Sequence, residues 1–266
     1  MRYDTQQATR EFSGWSESYD RSILQSLLFQ PAHKAIIARI RAGSGNGPLK
    51  ILDVGCGTGV FAARIREALP RTQVWGVDLV AAMLVRGRSR WREHREYVTP
   101  VQGDSERLPF RAGGFDVVTC ANSFHHYPHQ ERAVAEMHRV LKPGGRLILV
   151  DGCRDGPWGW FIYDVCVAGV EGNVLHASAG RIRSLFAAAG FTDSAQTVHQ
   201  GLAPFLLTEA VARPRVELRL RARAEVVNGA GPPSSIWSGA RKSVHPASSR
   251  GLIAEVPEAK VGARAP

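Results

Sequence analysis

Four polar side chains and three glycines fall where the chain could hold a polar ligand against its own backbone. Asp53-Val54-Gly55-Cys56-Gly57-Thr58-Gly59 grows directly out of an apolar run, LKILDV (49–54). Glycines so spaced let the main chain approach a ligand closely and take conformations closed to other residues. By itself Gly57-Thr58-Gly59-Val60-Phe61-Ala62 satisfies the GxGxxG/A dinucleotide pattern, and it also describes a plain strand-to-helix turn. Asp78 closes a second apolar run, TQVWGVD (72–78), 19 residues after Gly59, where a ribose-binding carboxylate belongs. Asp104 closes a third run, EYVTPVQGD (96–104), and Asn122 closes a fourth, FDVVTCANS (115–123). Each of these could be a turn or cap residue. Their recurrence at successive strand ends points instead to one ligand-binding edge. Asp53 stands where a dinucleotide site wants an apolar residue leading into its first glycine.

A second group could move protons. Asn122-Ser123-Phe124-His125-His126-Tyr127 follows the fourth run, and histidine titrates near neutrality. His125 is the candidate catalytic base, with His126 beside it; the competing reading is a buried histidine bonded to backbone. His129 and His138 fall on what reads as an exposed helix face, and His176 at a loop-to-helix junction. Between residues 152 and 178, Trp158, Trp160, Phe161 and Tyr163 concentrate aromatic area. That segment is either an apolar lid over an aromatic or lipid-like acceptor or a core-facing helix.

The elements that must position these residues alternate. VFAARIREAL (60–69), LVAAMLVRGRSRWREH (79–94) and QERAVAEMHRVL (130–141) read as helices, the last stopped by Lys142-Pro143-Gly144-Gly145. RLILVD (146–151) is a fifth strand. RIRSLFAAAGF (181–191) is helical, and SAQTVHQ and PFLLTEAVAR form an antiparallel pair across Gly201-Leu202-Ala203. Residues 21–41 read as helix, divided or reopened at Pro31. Strands joined by helical crossovers imply an α/β, doubly wound, mostly parallel sheet.

Composition narrows the classes. The chain has 266 residues, 44% hydrophobic and 22% charged, a globular balance that excludes wholesale disorder. No apolar stretch is long enough for a membrane span, and the opening MRYDTQQATREF does not read as a signal peptide. Four cysteines without a CxxC pair imply reduced thiols, a cytoplasmic setting and no metal site. Of the net charge of +10, residues 213–266 supply most, with 10 Lys/Arg against 4 Asp/Glu. We assign 1–48 to an N-terminal helical cap, 49–213 to the ligand-binding domain and 214–266 to a basic, disordered tail. The tail lacks interleaved aromatics, which argues against a nucleic-acid partner. Arg86, Arg88, Arg90, Arg92 and Arg95, with Glu93 and Glu96 among them, read as a solvated helix face.

ILDVGCGTG, VDLVAAML, QGDSERLPF, FDVVTCANSFHH and RVLKPGGRLILVD resemble, in order and spacing, the class I S-adenosylmethionine-dependent methyltransferases. Within them the chain looks like the branch of the ubiquinone/menaquinone C-methyltransferases and many small-molecule enzymes. The resemblance covers residues 10–212. It implies a Rossmann-like seven-stranded sheet with an antiparallel last strand, S-adenosyl-L-methionine as cofactor and a small-molecule acceptor. It further implies that Gly55, Cys56, Gly57 and Gly59 admit the methionine part, with Asp53 ordering the loop near its ammonium group. Asp78 would take the ribose hydroxyls, Leu79 and Met83 would pack on the adenine, and Asp104 and Ser105 would bond its edge. Asn122 would reach the methionine end, and Tyr19, in Ser18-Tyr19-Asp20, the cofactor carboxylate. Val80 stands where the family commonly has serine. The Asn/Asp-Pro-Pro-Tyr/Phe motif of enzymes that methylate base amines is absent after the fourth strand. The competing functions are a non-catalytic S-adenosylmethionine-binding module, a nicotinamide oxidoreductase and an RNA methyltransferase.

Overall fold

The computed structural model describes residues 29–213 apart from 44, 46, 172 and 173, together with the backbone alone of 170 and 171. Tyr19, most of the expected cap over 1–48 and the expected tail over 214–266 lie outside the described residues.

Seven strands form one sheet: β1 (Leu49–Val54), β2 (Thr72–Asp78), β3 (Val98–Gln102), β4 (Phe115–Ala121), β5 (Leu141–Gly152), β6 (Phe191–His199) and β7 (Phe205–Ala212). Their order is β3-β2-β1-β4-β5-β7-β6. β1 to β5 run parallel, and β7 lies antiparallel between β5 and β6. The doubly wound sheet with its antiparallel last strand is therefore as expected. The chain winds outward from β1 to β3 and then returns to β4 on the other side of β1, so the order reverses between β1 and β4. In open α/β sheets that reversal leaves a crevice at the carboxyl ends of the strands.

Alternating side chains on β1 divide the interior. Leu52 and Val54 join Phe124, Met137 and Phe186 on one face; Ile51 joins Ile36, Phe61, Ile65 and Val74 on the other. Each such side chain contributes about 1.5–3 kcal/mol on burial, so both edges of the crevice rest on packed walls. The helices covering the sheet include α1 (Gln30–Ala42), α2 (Val60–Ala68), α3 (Ala81–Arg86), α4 (Arg88–Glu93), α5 (Gln130–Val140) and α6 (Ala179–Ala189). α1 opens with Pro31 in its first turn and buries Ile36 and Ile40, one turn apart.

Three expectations are corrected. The single helix read over 79–94 is two helices, α3 and α4, broken at Gly87. A Cβ at Gly87 would collide with the Thr58 carbonyl and approach Trp91 Nε1, so the chain passes too close to the glycine loop for any other residue. β5 begins at Leu141, not Arg146: Leu141 pairs with Phe115, and the regular ladder resumes at Arg146 opposite Val117. Lys142-Pro143-Gly144-Gly145 thus stops α5 but lies inside the strand as an irregular entry, with Gly144 at φ 78°. His138 is buried rather than exposed, its ring edge-on to Phe191 at 4.8 Å. Periodicity along α5 did not reveal that α6 and β6 close over that face.

Candidate active site

The carboxyl ends of β1, β2 and β4 and the turn after β3 converge on a partly open cavity. It is lined by Gly55 and Gly57 from the glycine loop, Asp78 and Leu79 after β2, Met83 on α3, and Asp104 and Ser105 after β3. Asn122, Ser123, His126, Tyr127 and Pro128 complete the wall after β4. A smaller adjoining cavity shares Gly55 and Asn122 and adds Phe29, Asp53 and Cys56.

The glycine loop needs its glycines at defined points. Gly55, Gly57 and Gly59 have φ of 75°, 55° and 79°, the left-handed region that L side chains rarely adopt. A Cβ at Gly55 would also press on Ser123 and on the Tyr127 hydroxyl at 2.7 Å. The Gly55 and Cys56 amides both donate to the Val77 carbonyl, at 2.8 and 3.1 Å, which ties the loop to β2.

Asp78 sits between the loop and α3. Its Oδ2 accepts the Gly57 N–H at 2.8 Å and its Oδ1 the Val80 N–H at 2.9 Å. Burial raises its pKa, and these two donors oppose the shift. Each carboxylate oxygen keeps a further lone pair for a ligand. Asp104 Oδ1 accepts the Glu106 N–H at 2.9 Å, an Asx turn that aims the segment carrying Ser105. Asp53 is buried and accepts the Thr119 hydroxyl at 2.9 Å. Burial pushes its carboxyl up to about 7, Thr119 opposing and Asp78 adding to the rise. Asn122 is a non-glycine residue at φ 52°, and its Nδ2 is buried with no hydrogen-bond partner among the described residues. An unmet buried donor in the wall shared by two cavities favours an acceptor atom there.

Of the sequence-predicted residues, Gly55, Gly57, Asp78, Leu79, Met83, Asp104, Ser105 and Asn122 meet at the main cavity. Asp53 and Cys56 line the smaller one, and Gly59 lines neither, serving as the N-cap of α2. His125 does not line the main cavity. Its Nδ1 lies 2.5 Å from Asp151 Oδ1, and both side chains are buried. His176 stacks on His125 with ring centroids 4.4 Å apart, its Nδ1 4.0 Å from the same carboxylate oxygen. Burial works against the Asp151 carboxylate, but His125 and then His176 outweigh it and hold its pKa low. His126 lines the cavity, its ring packed on His125 at 4.0 Å between centroids. Burial, then His125 and His176, hold its pKa well below the usual histidine range.

Sequence reasoning passed over Ser123, Tyr127 and Pro128 as lining residues, although the block Asn122–Tyr127 contained the first two. The aromatic segment after β5 resolves into three short helical pieces, Pro157–Trp160, Phe161–Val167 and Ala168–Glu171. Only Tyr163 among its large aromatics is core, packed on Gly152 and at 4.8 Å from the His176 ring. Trp158, Trp160 and Phe161 are about half exposed and line no part of the main cavity.

Residues 51–145 match the family described as a methyltransferase domain. A demethylmenaquinone methyltransferase of Deinococcus radiodurans is 39% identical over 106 residues, 40% of this chain and 44% of that protein. A ubiquinone/menaquinone biosynthesis C-methyltransferase of Bordetella parapertussis is 41% identical over 107 residues, 40% of this chain and 42% of that protein. The chain thus spans less than half the length of these two relatives. The crystal structure of a SAM-dependent methyltransferase of Thermotoga maritima, described as a possible histamine N-methyltransferase, superposes with a TM-score of 0.61 at 20% identity. That match covers 77% of this chain and 99% of the other, and establishes the fold. With the glycine loop, Asp78 and the cavity meeting at the sheet's reversal point, the chain carries a methyltransferase-domain match over residues 51–145 and resembles the class I S-adenosylmethionine-dependent methyltransferases, their ubiquinone/menaquinone branch in particular.

Proposed function

We propose that the protein binds S-adenosyl-L-methionine in the main cavity and transfers its methyl group to a small-molecule acceptor, an aromatic or quinone-like ring being favoured. The single observation that carries this is Asp78, joined through Gly57 to the glycine loop and through Val80 to α3, with lone pairs left over at the cavity wall. The residues fit the cofactor. Asp78 would hold the ribose, Leu79 and Met83 the adenine face, and Asp104 and Ser105 its edge. Gly55, Gly57, Asn122 and, from outside the described residues, Tyr19 would hold the methionine end. Asp53 and Cys56 border that end in the smaller cavity, and Gly59 anchors the loop. Charge-assisted bonds of the Asp78 kind contribute about 1.5–3 kcal/mol each.

When bound, the sulfonium supplies an activated methyl group, so the protein's share is alignment and removal of the acceptor's proton. His126 is the imidazole at the cavity wall, and its low pKa keeps it neutral and able to accept. The expected base, His125, acts at one remove: locked to Asp151, it fixes the neighbour that faces the acceptor. Domain limits of 49–213 and a cytoplasmic setting belong to the same reading. No helix among the described residues is long and apolar enough to cross a membrane. A nucleic-acid partner is not needed: the wall after β4 reads Asn122-Ser123-Phe124, not the motif for base amines.

Thermal melting with S-adenosylhomocysteine and with NADH tests the cofactor, and mass spectrometry of a panel of quinols and phenols tests the transfer. Stabilisation by the first ligand alone, and a product one methyl group heavier, are expected. Stabilisation by NADH alone overturns the reading in favour of an oxidoreductase. Cofactor binding without turnover on any acceptor favours a non-catalytic module.

A further inference from the structure

The two halves of the proposed cofactor cradle, the glycine loop and the α3 end, are braced from behind by side chains that line neither cavity. Trp91 on α4 is 6% exposed. A Cβ at Gly59 would overlap its ring, and one at Gly76 would meet its Cη2 at 3.3 Å. The ring therefore fills the space that glycine leaves beneath the loop. Its Nε1 donates to the Leu84 carbonyl at 3.0 Å, in the helix whose Met83 lines the main cavity. Arg90, one residue earlier, donates from Nη1 to the Thr58 carbonyl within the loop at 2.6 Å. Gly87, at the α3–α4 break, lets this whole unit lie against Thr58.

We propose that Trp91 and Arg90 are positioning residues for the cofactor, holding the glycine loop and α3 at the spacing that S-adenosylmethionine spans. This rests on the cofactor reading above. A rigid support that fixes the first contacts reduces the ordering needed on binding, and so appears in affinity. Trp91 also explains a demand at Gly59 beyond its φ of 79°: the indole occupies the place of a β-carbon. Arg90 departs from the other arginines of the segment, which read as a solvated face, because its guanidinium spends a donor on the loop.

The test uses the full chain and S-adenosylhomocysteine as probe, with Trp91→Phe, Trp91→Leu and Arg90→Gln. Calorimetric Kd and the melting temperature of the ligand-free protein are read separately. Trp91→Leu is expected to weaken binding about tenfold, Trp91→Phe to recover most of it, and Arg90→Gln to weaken binding about threefold with little change in melting. A purely structural role would lower melting and leave the Kd of the folded protein unchanged. Trp91→Leu and Arg90→Gln both folded and binding within twofold of wild type would overturn the proposal. If Trp91→Leu does not fold, Arg90→Gln decides it by the same criterion. Wild-type protein that binds no probe overturns the cofactor reading and this one with it, whereas tight wild-type binding with unaltered variants overturns this one alone.

Discussion

The two walls of the cavity are built on different principles. The wall from β1, β2 and the β3 turn is made of main chain bent by glycines and of short carboxylates at a strand end or two residues beyond it. Each carboxylate is held by backbone amides: Asp78 by Gly57 and Val80, Asp104 by Glu106. The wall after β4 includes His126, whose ring is backed by buried side chains that do not line the cavity. His125 depends on Asp151, 26 residues away, and on His176. A wall held by backbone amides takes the loss of one side chain as a local loss, while a ring backed by buried, charged side chains couples stability to chemistry.

The largest expected effect separates two adjacent histidines after β4, one at the cavity wall and one behind it. On an acceptor found by the panel, His126→Ala should lower kcat by about 10²–10⁴ and leave S-adenosylhomocysteine affinity intact, as for loss of a proton acceptor. His125→Ala should act on the fold, costing about 3–5 kcal/mol, since it strips the buried Asp151 carboxylate of its nearest partner. Denaturant melts and single-turnover rates on both variants decide it. A stable His125→Ala protein with the larger rate loss would reverse the assignment.

On the first wall, Asp78→Ala should weaken S-adenosylhomocysteine binding at least about tenfold, or 1.4 kcal/mol, with the fold retained. Calorimetry showing unchanged affinity would remove Asp78 from the site and leave the glycine loop as a turn only.

This division explains what could be read in the sequence. Asp78, Asp104 and Asn122 were legible because strand ends and loop composition fix them locally, and the alternation of strand and helix fixed the sheet that gathers them. Which of His125 and His126 lines the cavity was not legible. Adjacent residues on a single 3₁₀ turn (Phe124–His126) point in different directions, and which one meets Asp151 depends on where β5 ends. The buried state of His138 was hidden for the same reason, being decided by α6 and β6 packing over α5. The break at Gly87 was written in the sequence as a glycine, but its cause, contact with Thr58, is tertiary.

A smaller effect, in pH, tests whether Asp53 belongs to the first wall electrically as well as sterically. Its carboxyl is raised to about 7 in the folded chain, mainly by burial. Between the ordinary aspartate value near 4 and about 7, the folded state therefore holds the proton that the unfolded state has released. Stability from this group is full below about 4 and is lost as pH rises to about 7. Asp53→Asn should thus melt above wild type at pH 8, and the gap should close towards pH 4. Ligand binding should run the other way. A cationic ammonium nearby favours ionised Asp53, so wild-type affinity for S-adenosylhomocysteine should fall below pH 7 by up to about tenfold per unit. Asp53→Asn should lose that slope. A wild-type slope absent over pH 5–7 would mean that Asp53 does not feel the ligand.

The smallest effect concerns the aromatic segment after β5, where the two walls give way to a surface. Trp160 is 53% exposed, and Tyr163 is buried on Gly152 and beside His176. If the exposed rings have no part in the fold, Trp160→Ser should change stability by no more than about 0.5 kcal/mol, the usual range for surface positions. Tyr163→Ala should cost about 3–5 kcal/mol, as an aromatic removed from a packed site. The acceptor then discriminates between the two readings of the segment. A lid over an apolar substrate predicts that Trp160→Ser raises KM with kcat and melting temperature unchanged, because uniform binding is lost without harm to the transition state. An unchanged KM on every acceptor turned over would confine the segment's role to Tyr163 and the support it gives to the histidine wall.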